Sequence, residues 1–488
     1  MKRWGVPRAS SERRGSRLPK LIAMGALALW TLGAGVGTQE SGVSGYFDVA
    51  DYGATPCDLV DDTVFIQDAI NAAAVNHAPV WIGAGEWLIS GQIRLKSGTS
   101  IQGAGADVTV IKSLSTHGPG NQLAVLGDSS ITIADLTLDG NMTERDTFIV
   151  GLKIQGSSTT RATDIRVLNC TFRDHQNAID CGTVGTAENV LIQGCNFVTQ
   201  SATYFRTSKS IQMQETAKNW RISYCDVTGG LPLLTDIDGD QPGNAMSLDG
   251  VGVTVSNVTI HDYAHGYSVV GIPGGIGMWV DPGSRNVVIS SCTFDNVAGD
   301  NMSIRGGGVA VSNCSIRYSR DQGIVIEGDG TQIGLVAVTG CMIDSTRAAG
   351  IRVINARDVT ISGNTIKNTA ALLSLGPAVS AGAKAGISLF NTAASESVLM
   401  VSVTDNLIIG DADSLKYGIY LGGAAGVVDS IFVAQNTIVD ADTLFGGGSF
   451  PGNLIDGSMW VGHRSIQNPA NPDTLWGVVG GTPKELVP

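Results

Sequence analysis

Four charged residues fall at one position of four successive repeats: Asp249, Asp281, Arg305 and Glu327. Each follows a short alternating stretch whose apolar pair (Met246 and Leu248, Met278 and Val280, Met302 and Ile304, Ile324 and Ile326) would point inward, so the charged residue points outward. Parallel stacking of such strands sets neighbouring rungs about 4.8 Å apart. Asp249 and Asp281 then stand at about the 5 Å spacing of a retaining glycosidase, and Asp281 and Glu327 at nearly 10 Å, around the inverting spacing. Two close carboxylates push one pKa up, which divides them into an acid and a base. A neighbouring outward column reads Ser247, Trp279, Ser303, Val325 and Arg352, in which Trp279 offers an indole for a sugar face. Gln214 precedes the acid column and Ile354 follows it. The same residues admit other chemistry. Asp249, Asp281 and Glu327 are hard oxygen ligands that could hold Ca²⁺ on a uronate carboxylate, with Arg305 taking the α-proton in a β-elimination. A column of outward charges can also be a surface ion-pair ladder with no chemistry.

Other candidates are less developed. The acidic stretch TDIDGDQPGN supplies Asp236, Asp238 and Asp240, the start of a possible cation loop, although no Glu falls at its twelfth position. His261 and His265 sit in a turn near the same strands, and His175 has Asp174 and Asp180 nearby; a satisfied turn role suits all three. The sequons at Asn141, Asn169, Asn257, Asn301 and Asn313 fall where coil turns are expected.

The elements that must position these residues are repeats. From ITIADLTL at 131 to IFVAQNTI at 431 one pattern recurs eleven times, at separations of roughly 22 to 42 residues, the period range of solenoids. A second short strand follows most units, as in NMSIRG at 301, GIVIEG at 323 and GIRVIN at 350. Short strands joined at Gly and Asn corners predict an all-β chain, a single-stranded right-handed parallel β-helix of about eleven or more coils. Cys170, Cys195, Cys225, Cys292, Cys314 and Cys341 share one repeat position, which Asn364, Asn406 and Asn436 later take over. They should stack as an internal ladder, the cysteines mostly free because parallel Cβ vectors suit a disulfide poorly. Upstream, Asp61 or Asp62 can cap a helix with Ile66, Ala69, Ile70 and Ala73 on its apolar stripe, which would plug the open end of the solenoid.

Composition bounds the class. The chain has 488 residues, 43% hydrophobic and only 15% charged, with 64 Gly, enough apolar surface for a large core. A net charge of -13 argues against nucleic acid and anionic membranes as partners, and a polyanionic substrate would need a cation or a local basic cluster. The basic start followed by the apolar run from Leu21 to about Gly37 reads as a signal peptide over 1–37, hence a secreted or periplasmic protein with no stable membrane insertion once the signal is removed. The expected organisation continues with a β-helix over 46–440, its cap and first coils at 46–113, and a C-terminal cap or tail at 441–488.

The string YGA with DDT, the helix, VWIGAGEWLIS and SIQGAGADVTVIKS resemble the opening of the pectate-lyase-like right-handed β-helix superfamily, which includes polygalacturonases, mannuronan epimerases, polysaccharide lyases and phage tailspikes. LTLDGN at 136 and GMWVDPGSRNVVI at 277 are similar to mannuronan epimerases, whose active coil carries Asp-Pro-His; Asp281 and Pro282 match, Gly283 stands in place of the His, and Arg305 stands about where a second acid is expected. Residues 298–328 resemble the polygalacturonase core: Asp300 matches the first of its paired acids, while Asn301 and Gln322 replace the second acid and the His. Arg352 fits that family's substrate Arg, with Ile354 in place of its Lys. The resemblance implies a secreted polysaccharide-active protein that cleaves glycosidic bonds by hydrolysis or β-elimination. The alternatives are a non-catalytic carbohydrate-binding or structural β-helix, or an epimerase with a departed site.

Overall fold

The computed structural model describes residues 45–142, 148–199, 209–229, 243–263, 275–328, 334–370, 384–392, 397–410, 415–423 and 427–439, residue 441, and the short stretches 443–447, 461–465, 476–479 and 482–485. The expected signal peptide, His265 and the acidic stretch with Asp236, Asp238 and Asp240 lie outside them.

Among the described residues the strands form a right-handed parallel β-helix. One sheet stacks 13 strands from Ile93–Arg94 to Thr443–Gly447, and a 29-stranded sheet takes the other strands of each coil. Neighbours in both are parallel, as in Val287↔Val309↔Val336↔Val359↔Val401. Parallel pairing carries on past residue 440, where Val433 pairs with Val461 and Tyr417 with Thr443, although the repeat signature has faded there.

The corner of each coil explains the repeat motif. The residue before each ladder position is left-handed: Asn169, Gly194, Tyr224, Asn257, Ser291, Asn313, Gly340, Gly363, Asp405 and Gln435 all have φ between 51° and 66°. Asn and Gly tolerate that conformation best, which is why three of the sequons, at Asn169, Asn257 and Asn313, fall there; Asn141 is left-handed at another turn, and Asn301 is instead fully buried without a left-handed backbone. The next side chain turns inward. Cys170, Cys195, Cys225, Cys292, Cys314 and Cys341 are buried and free, with Val258 interrupting the run. Beyond them Asn364 Nδ2 donates to Asn406 Oδ1 at 2.9 Å, and Asn406 Nδ2 to Asn436 Oδ1 at 2.9 Å. Thiol and amide satisfy the same carbonyls: Cys195 Sγ donates to Val167 and Gln193, and Asn436 Nδ2 to Val403 and Ala434.

The helix Thr63–Asn76 buries Ile66, Ala69, Ile70 and Ala73 in the same core as the coils. Its N-cap residue Asp62 makes no capping bond; Asp61 Oδ1 accepts from Thr63 N at 3.0 Å instead. Asp62 is buried and accepts from Thr55 N and Leu88 N, tying the helix to the first coil. Among the described residues no helix is long and apolar enough to cross a membrane.

Candidate functional site

The 13-stranded sheet carries the charged column. Met246, Met278, Met302 and Ile324 pair along it, as do Leu248, Val280, Ile304 and Ile326, and all are buried. The residue between them faces outward, so Ser247, Trp279, Ser303, Val325, Arg352, Ser388 and Tyr420 form one column. One step beyond the inner pair come Asp249, Asp281, Arg305 and Glu327, with Ile354 and Phe390 following in register. Met213 N donates to Ser247 O at 2.8 Å, which puts Gln214 on the rung before Asp249.

Asp281 and Asp249 are neighbours in unlike surroundings. Asp281 opens a tight turn in which Ser284 N donates to its carbonyl at 3.0 Å, and Pro282 suits the second turn position. Its carboxylate accepts from Ser247 Oγ at 2.9 Å and from Trp279 Nε1 at 2.8 Å. Burial raises its pKa, and those two donors with the charges of Lys209 and Arg305 oppose the rise. Asp249 has no such side-chain donors. Its Oδ1 is buried without a hydrogen-bond partner, and its pKa is pushed up to about 6 by burial first and then by the charges of Asp281 and Glu215. A Cβ on Gly283 would stand 2.8 Å from that oxygen, so a side chain there would have to displace Asp249.

Arg305 separates the remaining acids. Its Nη2 donates to Glu327 Oε2 at 2.6 Å, and its guanidinium lies 4.4 Å from the centroid of the Trp279 ring. The guanidinium is thus held between an ion-pair partner and an aromatic face. Glu327 is committed to Arg305, so Asp249, Asp281 and Glu327 do not converge as a Ca²⁺ cage; among the described residues no group of three or more His, Cys, Asp or Glu could hold a metal.

Asp300 lies apart from the column, at the entry end of these strands, where its Oδ1 accepts from Gln322 N at 3.0 Å. Burial and the nearby charge of Asp321 push its carboxyl well up, opposed by that bond and by Arg352. Arg352 rests over Phe390, its Cζ 5.3 Å from the ring centroid, with Nε buried and unpartnered. His175 is a core residue; its Nε2 meets Gln122 Oε1 at 2.6 Å and burial holds its pKa down at about 3. His261 belongs to a surface cluster with Asp226 and Asp262.

Two functional candidates escaped the sequence. Lys209 lies in the charge field of Asp281 and Asp180, its own pKa lowered by burial and raised again by those carboxylates. It begins a strand, Lys209–Gln212, that lacks the repeat motif, so no pattern marked it. Asp321 lies beside Gln322, already singled out, and its carboxyl is pushed up by burial against the opposing charges of Arg347 and Arg352.

Two family models match the chain: "Rhamnogalacturonase A/epimerase, pectate lyase-like" over residues 46–271 and "Right handed beta helix region" over 244–439. The pre-neck appendage protein of Bacillus phage B103 is 26% identical over 266 residues, 54% of this chain and 27% of that one. Mannuronan C5-epimerase AlgE3 of Azotobacter vinelandii is 38% identical over 108 residues, 20% of this chain and 6% of that one. The matches thus span well under a third of these relatives' lengths. Among solved structures, the A-module of Azotobacter vinelandii mannuronan C-5 epimerase AlgE6 superposes with a TM-score of 0.58 at 17% identity, over 86% of this chain and all 100% of the module. The pre-mature gene product 12 of bacteriophage phi29 gives 0.54 at 16% identity, over 86% and 56%.

Proposed function

The chain belongs to the pectate-lyase-like right-handed β-helix superfamily, and on that premise we propose that it is an extracellular enzyme hydrolysing glycosidic bonds of a polysaccharide laid along the outward face of the 13-stranded sheet. The observation that carries this reading is the unequal pair Asp249 and Asp281 on adjacent rungs. Asp249 keeps a proton to about pH 6 and donates it to the leaving glycosidic oxygen; Asp281, fixed by Ser247 and Trp279, acts as the ionised partner. Adjacent-rung spacing of about 4.8 Å matches the retaining arrangement, in which that partner attacks the anomeric carbon and water then releases the sugar, with Asp249 as base. Arg305 and Lys209 supply positive charge beside Asp281 in a chain that is otherwise strongly acidic, which favours a glycan carrying carboxylates. Mannuronan and pectic polymers are the first to try, from the relatives' names.

The test is a panel of mannuronan, polygalacturonate, rhamnogalacturonan and a neutral glucan, read for reducing ends and for unsaturated uronates, with and without chelator. New reducing ends without unsaturation are expected from at least one polymer, lowered by about 10²–10⁴ in Asp249→Asn. Unsaturated products would replace hydrolysis by β-elimination. No product on any polymer from folded protein would leave a binding protein.

A further inference from the structure

Beyond Glu327 the outward face changes character. Ile354 and Phe390 follow in the acid column, while Arg352, Ser388 and Tyr420 continue the other. Phe390 lies four rungs from Asp281, or about 19 Å at the spacing of parallel strands. Tyr420, buried and with its ring 5.1 Å from that of Tyr417, continues the other column by one more rung. Its ring lies over Gly422, where a Cβ would stand 2.3 Å from it, and Gly422 is the residue paired with Phe390. The two rings therefore occupy consecutive rungs of the column that begins with the acids. Between them and Arg352 sits Ser388, fully buried, its hydroxyl without a partner. The Nε of Arg352, on the adjacent rung, is buried and unpartnered as well. Two orphaned polar groups side by side on an outward-facing strand are costly unless something else satisfies them. Aromatic rings with a few convergent polar groups are what a sugar ring requires, apolar face against ring and hydroxyls against donors.

We propose that Ser388, Phe390 and Tyr420, with Arg352, form a distal sugar-binding subsite that holds the same glycan several residues from the acid pair, making the preferred ligand a long polymer along the helix axis. The subsite rests on the glycan-processing reading of Asp249 and Asp281 and adds a chain-length requirement to it. Arg352, half-exposed and propped on Phe390, is the side chain that yields when the sugar enters and exposes the Ser388 hydroxyl.

The full chain with Asp249→Asn serves as the non-cleaving host for calorimetric titration with mannuronan and polygalacturonate trimers and octamers. Octamers of at least one polymer should bind more tightly than trimers, and Phe390→Ala and Ser388→Ala should each weaken octamer binding about ten-fold, as expected for removing one buried hydrogen bond or one sugar-stacking ring. Ser388→Ala should at the same time raise Tm, because it deletes an unsatisfied hydroxyl; a serine with a merely structural role would lower it. Equal affinity for trimer and octamer, octamer affinity unaltered in both variants, or no binding of either polymer overturns the subsite. Octamer binding abolished in the variants while the wild-type chain cleaves nothing keeps the subsite and removes the hydrolase. Cleavage with no length effect removes the subsite and keeps the hydrolase.

Discussion

Asp249 and Asp281 bear the same functional group and differ in what touches it. Two donors hold Asp281, whereas Asp249 meets buried space and a second negative charge. With Asp249 as the proton donor, kcat/KM should fall on the alkaline side near pH 6, the pair titrating as one system; a limb at pH 8 or above would assign the proton elsewhere. Stability follows the same proton. The folded pKa of about 6 lies above the unfolded value of about 3.9, so the folded state binds the proton more tightly, and this group's contribution is fully present below about pH 4 and is lost as pH rises through 6. Asp249→Asn should therefore raise Tm at pH 8 by a few degrees and much less at pH 4, as followed by calorimetry; a lower Tm at pH 8 would contradict burial as the cause of the shift. Alternation alone placed both acids in one outward column. Which of them keeps the proton was illegible, because that depends on the Trp279 indole folding back two residues to Asp281 and on Lys209 arriving from a strand without the motif.

At the level of the strand and its corner, the ladder is the element that sets register. Asn406 accepts from the backbone N and Nδ2 of Asn364, and donates to Asn436 Oδ1 and to the carbonyl of Ile361, all within buried space. Asn406→Ala leaves these partners unsatisfied and should cost about 3 kcal/mol or more in denaturant unfolding. Asn406→Cys should cost less, since the cysteines of earlier coils reach the equivalent carbonyls; equal losses would mean that the ladder acts by volume alone. This layer of the fold was the most legible, because a single left-handed residue before an inward Cys or Asn recurs at corner after corner, broken among the coils from Asn169 to Gln435 by Val258. The N-terminal cap was legible as a helix with the right buried face. Its capping bond was not, as Asp61 and Asp62 are adjacent and only tertiary contacts with Leu88 and Ser90 divide their roles.

Across the whole molecule, each coil pairs with the coils beside it, so stability is nearly a sum over neighbours. The thiols report on it. Of eight cysteines Cys57 is exposed and the other seven are buried, so alkylation of the native protein should give one adduct per chain by mass, and a second rapid adduct would reveal a frayed coil. The chain's acidity, legible from composition, is not uniform: Lys209 and Arg305 lie in the charge field of Asp281, and Arg347 and Arg352 in that of Asp321, groupings that composition hides. Because both outward columns advance one residue per coil while the ladder links only adjacent coils, the face behaves as a graduated scale. Removing the coil that contains Ile351–Ile354 would bring Phe390 about 4.8 Å closer to Asp281 without changing the chemistry of either end. Reach along the ligand is thus quantised in whole coils, and a lineage can lengthen or shorten its grip by duplicating or deleting one repeat.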